Sequence, residues 1–128
     1  MKPVVKNGVA LFSPQGFLDA NNNNAFLSIE EIQYTSKLKV DMVLVSLKKV
    51  IFFNKNGLDI FIKLFDTLRK NTNIIVGFCD YDLKKFEAIK QFFSGELEFS
   101  LFKSIKIAYL FSSSFQTENK NILIYSDD

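Results

Sequence analysis

The sequence predicts an α/β domain, a mixed four- to five-stranded sheet with about four helices packed against it. Three observations carry this. The apolar runs 42–45 and 74–79 lack alternation, which suits strands covered on both faces. Between them Leu58, Phe61, Leu64, Phe65 and Leu68 recur at helical spacing. The chain has 128 residues, 48% of them apolar and 15 of them Phe, enough for one real core with little left for a second.

In chain order, residues 2–6 and 9–13 read as extended runs joined by Asn7-Gly8, a pair that tolerates positive φ and marks a hairpin. Pro14 and Gly16 end the second run. The loop 21–24 offers asparagine caps for a helix over 24–37, with Ala25, Ile29 and Ile32 on its apolar side. The strand at 42–45 is followed by a second apolar run, 50–53, and then a helix over 58–70. Asp59 with Lys63, and Asp66 with Lys70, stand four apart there in the favourable order. After the strand at 74–79, Asp82 caps a helix to about Phe93, with Leu83, Phe86, Ile89 and Phe93 inward and Gly95 as its stop. A strand at 97–102 and a helix over 104–111, capped by Ser104, complete the order β-β-α-β-α-β-α-β-α. Leu44, Phe61, Phe65, Ile75, Phe86 and Ile89 are expected in the core.

Composition removes several function classes. The absence of His excludes imidazole acid–base chemistry and His-built triads or zinc sites. The lone Cys79 lies in an apolar run, where a buried thiol is expected. A net charge of +2, scattered lysines and the single Arg69 argue against a nucleic-acid surface. No apolar run approaches the roughly 18 residues that span a bilayer, and the N-terminus lacks the pattern of a signal peptide. A cytoplasmic protein without membrane attachment is expected. Asp80 and Asp82 invite a metal or acid–base reading, but Asp82 is explained as a cap and no third ligand stands nearby. Glu30 and Glu31 diverge by about 100° on a helix. No nucleophile–base pair and no glycine-rich phosphate loop can be assembled, so neither enzyme activity, metal nor cofactor is expected.

The element order is also that of the anti-sigma-factor-antagonist (STAS) family, which the chain resembles over about residues 3–111. Gly16-Phe17-Leu18-Asp19-Ala20, followed by Asn21 to Asn24 and Ala25-Phe26, is similar to the family's glycine-x-leucine-aspartate segment. The stretch from Val43 to Gly57 resembles its central strand, apolar run and signature loop, and 102–108 the start of its last helix. The resemblance implies a non-catalytic protein–protein interaction module in bacterial signalling. Its partner would be an anti-sigma-factor or serine-kinase-like protein, or another signalling domain; homodimerisation is an alternative. The implied contact surface is the signature loop and following helix: Asn54, Lys55, Asn56, Gly57, Asp59 and Lys63.

The departures from the pattern matter as much. The family's loop reads Asp-Ser-x-Gly, and a partner kinase phosphorylates that serine. Here Asn54 takes the place of the acid and Lys55 that of the phosphoacceptor, while Ser46 stands where the central strand commonly ends in Asp. No Ser, Thr or Tyr occurs from Leu47 to Asp66, so no switch of that kind is expected in this loop. Lys55 reads either as a solvated residue on a degenerate loop or as a fixed contact to an acidic group. Gly57 is expected to let the backbone turn tightly into the helix.

A polar stretch, 112–120, is expected to act as a linker after the domain at 1–111, and 121–128 as a terminal strand. Asn121-Ile122-Leu123-Ile124-Tyr125-Ser126-Asp127-Asp128 resembles the opening of a response-regulator receiver domain. That resemblance implies a second reading, a regulatory or dimerisation domain of a longer response-regulator-like protein. A small-ligand-sensing domain is a third, since α/β folds hold ligands at strand ends. Residues 122–125 are expected to be mobile or to pair with an open sheet edge.

Overall fold

The chain begins with the hairpin that Asn7-Gly8 predicts. Strands β1 (Val4–Lys6) and β2 (Val9–Phe12) pair antiparallel, with φ of 53° at Asn7 and 79° at Gly8. Both turn residues therefore sit in the left-handed region, as a type I′ turn requires. A computed structural model describes residues 1–19, 28–71, 73–93, 99–112 and 124–125. Beyond the hairpin lie β4 (Met42–Ser46), β6 (Ile75–Cys79) and β7 (Ser100–Phe102), each parallel to the strand before it in the sheet. The sheet order is β1-β2-β4-β6-β7, and a two-residue β8 (Ile124–Tyr125) extends it beside β7. A separate parallel pair is formed by β3 (Gly16–Leu18) and β5 (Val50–Phe53).

Every residue of β4, β6 and β7 is buried, which explains their unbroken apolar runs. Alternate side chains divide the core in two. Val43, Val45, Val76, Phe78 and Leu101 face one side, packed with helix α2 (Lys55–Asn71) through Leu58, Phe61, Leu64, Phe65 and Leu68. Helices α1 (Ile29–Ser36) and α3 (Leu83–Phe92) add Ile32 and Ile89 to this side. Met42, Leu44, Ile75, Cys79 and Phe102 face the other side, against Ile107 and Ala108 of helix α4 (Ile105–Ser112). Phe78 meets Phe65 and Phe99 edge-on at centroid distances of 5.3 and 5.4 Å, a favoured aromatic geometry. Burial of each such ring is worth about 1.5–3 kcal/mol.

Several expected boundaries move. Helix α1 starts at Ile29, because Ser28 and Glu31 form a reciprocal capping box with bonds of 3.2 and 3.1 Å. The asparagines at 21–24 and Ala25 lie outside the described residues, and Ile29 is exposed rather than inward. Helix α2 starts at Lys55, three residues before the position expected from its apolar stripe. Asp82 caps α3 through the Lys85 amide at 2.8 Å, and Ser104 caps α4 through the Ile107 amide at 3.3 Å.

Leu83, the first residue of α3, is exposed, and Phe86 is half-buried, its ring stacked on Tyr81 at 5.5 Å. Of the six expected core residues the other five are buried. Gly95 and Leu97 lie outside the described residues. The β3–β5 pair was not expected: Pro14 and Gly16 interrupt the chain after β2, and it then resumes as a strand. Ile124 and Tyr125 take the edge beside β7, in register with Leu101 and Phe102. Among the described residues no helix is long and apolar enough to cross a membrane.

Candidate partner-binding site

The segment from Asn54 to Lys63 leaves β5 and becomes the first turns of α2. Asn54 organises the junction. Its amide donates to the Leu18 carbonyl at 3.2 Å, which ties it to the end of β3. Its side-chain Oδ1 accepts from the Gly57 amide at 2.6 Å, and its own carbonyl accepts from Leu58 at 3.2 Å. This is N-capping, and it explains why the helix begins at Lys55. The presumed loop is therefore mostly helix. Gly57 is buried inside the first turn with its Cα against the Leu18 carbonyl, so close approach rather than a tight turn requires glycine there.

Lys55 and Asn56 are exposed on that turn, Asp59 is half-buried, and Lys63 is exposed two turns on. Residues 55, 59 and 63 are spaced by four and share one helix face. The structure thus places Asn54, Lys55, Asn56, Gly57 and Asp59 at the start of α2 and Lys63 at its middle. No acid lies in the first turn, so Lys55 meets the positive end of the helix dipole unopposed, at a cost of about 0.3–1 kcal/mol.

The adjoining strand pair was missed in sequence. Gly16 pairs with Val50 but Phe17 pairs with Phe52, so Ile51 is an extra residue, a β-bulge. Around that bulge Val50 and Phe53 point inward while Ile51 and Phe52 both face solvent. Phe17, Ile51 and Phe52 are 55, 73 and 51% exposed, and the rings of Phe17 and Phe52 lie 6.3 Å apart. The available signal was the run Val50–Phe53 itself: a strand packed on one face cannot bury four consecutive apolar side chains.

A second polar cluster joins the C-terminal ends of β4 and β6. Asp80 Oδ2 accepts from the Ser46 hydroxyl at 2.7 Å, and Oδ1 accepts from the Ile105 amide at the start of α4 at 2.8 Å. Asp80 adopts φ of 59° to do so. Nearby, the Lys85 ammonium donates to the Leu47 carbonyl at 2.9 Å. With both its oxygens engaged, Asp80 anchors a helix, while Asp82 caps another. The two carboxylates thus serve separate structural ends. Burial first, then the Asp80 charge and a 3.7 Å contact to it, push the Cys79 thiol well above its ordinary pKa. Burial above all raises Tyr81 to about 12. A thiol held neutral in this way is a poor nucleophile. Among the described residues no group of three His, Cys, Asp or Glu side chains is placed to hold a metal.

No protein-family model matches the chain, and no curated protein matches it.

Proposed function

We propose that this chain is a non-catalytic protein–protein interaction module of bacterial cytoplasmic signalling, STAS-like in fold and in the surface it offers. It carries no catalytic site, binds neither nucleic acid nor membrane, and uses Asn54, Lys55, Asn56, Asp59 and Lys63 to contact a signalling protein of the anti-sigma-factor or serine-kinase-like kind. One observation carries this reading. Two of the three segments that bear the resemblance, the one from Gly16 and the one from Val43 to Gly57, pair side by side through Gly16–Leu18 and Val50–Phe53, and the Asn54 amide bonds to Leu18 where they meet α2. Residues 34 and 35 apart in sequence thus build one surface at the start of a helix, where an interaction module of this family presents its loop.

Lys55 stands exposed where the family carries its phosphoacceptor. Binding at this surface is then constitutive or regulated from another site. The test begins with recovery of the tagged chain from its native cells and identification of its partners by mass spectrometry. Calorimetric titration then compares the wild type with a Lys55→Glu, Lys63→Glu double variant. Weaker binding without loss of fold is expected, because rim charges act on association more than on stability. Unchanged affinity for every partner rules this surface out.

A further inference from the structure

We propose that the β3–β5 pair is a docking strip for a protein segment with an apolar centre and acidic flanks. This rests on the interaction-module reading and assigns it a contact surface beyond α2. A regular strand would turn Ile51 and Phe52 to opposite faces. The bulge aims both outward, beside Phe17, and leaves three large apolar side chains more than half exposed. Apolar side chains exposed singly are ordinary, but a contiguous group created by a backbone irregularity marks a contact site.

Charge identifies the occupant. Lys48 and Lys49 lead into β5 and Lys55 follows it, all three exposed, while Asp19 after β3 is half-buried, so cations predominate at both ends of the strip. A partner with Phe-, Leu- or Ile-type side chains between Asp or Glu residues complements both features. Two copies of the strip related by a two-fold axis would instead bring like charges together. An anionic membrane is a poorer match, since polybasic membrane segments use clusters of about 4–8 cations and here three flank a short strip.

The probe is a displayed random-peptide library, selected on the immobilised full chain. Enriched peptides that combine apolar and acidic residues are expected. Ile51→Ser with Phe52→Ser should weaken them about tenfold or more, the scale of losing an interface anchor. Lys48→Glu with Lys49→Glu should also weaken them, and added salt should slow their association. All four residues are exposed, so circular dichroism melting should show folded variants; if the first pair fails to fold, the lysine pair and Phe17→Ser carry the test.

Peptides without acids, or peptides that bind the Ile51/Phe52 variant as well as the wild type, overturn the proposal. So does a concentration-dependent dimer abolished by that variant in sedimentation, or binding to phosphatidylserine vesicles lost in it without peptide binding. Peptides sensitive to Lys63→Glu but not to the strip variants reject the strip and leave the module reading intact. Enrichment at neither surface rejects both.

Discussion

A β-carbon on Gly57 would overlap the carbonyl oxygen of Leu18. No side-chain rotation relieves that contact, because the backbone fixes the β-carbon and the carbonyl is itself backbone, so β3 and the first turn of α2 must separate. Gly57→Ala is expected to destabilise the domain by about 1–3 kcal/mol, as overpacking does, although alanine is the better helix former. Urea unfolding measures this. A neutral or stabilising result would mean that β3 does not lie against α2.

Lys55 opposes the dipole of α2, so Lys55→Glu should stabilise the chain by about 0.3–1 kcal/mol while weakening its partner complex. The two readouts move in opposite directions, which separates a binding effect from a folding one. Thermal melting at low ionic strength shows the gain most clearly, because salt screens it. A loss of stability would place the helix start elsewhere.

Ser46 and the amide of Ile105 share Asp80, and breaking the arrangement should cost more at its centre than at its edge. Ser46→Ala should lose about 1 kcal/mol. Asp80→Ala should lose about 2–3 kcal/mol, since it strands the Ser46 hydroxyl and the helix amide and places alanine at positive φ. Asp80→Asn should be milder, because asparagine tolerates that φ and keeps one acceptor. A double-mutant cycle between positions 46 and 80 should return coupling above about 0.5 kcal/mol. Strict additivity would contradict the bond.

Cys79 should make stability fall in alkali. Its folded pKa is raised above the ordinary 9.0, so the unfolded chain releases the thiol proton first and binds fewer protons than the native one. The contribution is complete about a pH unit or more below 9.0 and declines as pH rises through and above it, by at most about 1.4 kcal/mol per pH unit. Cys79→Ala should flatten that slope in urea unfolding between neutral and alkaline pH. Iodoacetamide labelling provides a second check, with a slow native thiol and a fast unfolded one.

Local chemistry by itself determined the hairpin at Asn7-Gly8, the caps at Asp82 and Ser104, and the doubly covered strands β4 and β6. Each depends on dihedral preference, an adjacent side-chain acceptor or unbroken apolarity, and all are properties of neighbours in the chain. The grouping of Asn54 to Lys63 was legible for the same reason, since one stretch of helix and its cap carry them all. Tertiary structure alone decided the rest. Phe17 and Phe52 meet only because β3 pairs with β5, and the bulge that exposes Ile51 exists only relative to its partner strand. Asp80 looked like half of a carboxylate pair until the folded sheet brought Ser46 and Ile105 to its two oxygens. Pairing across 25 or more residues is set by which surfaces can be buried together, and no local preference encodes it.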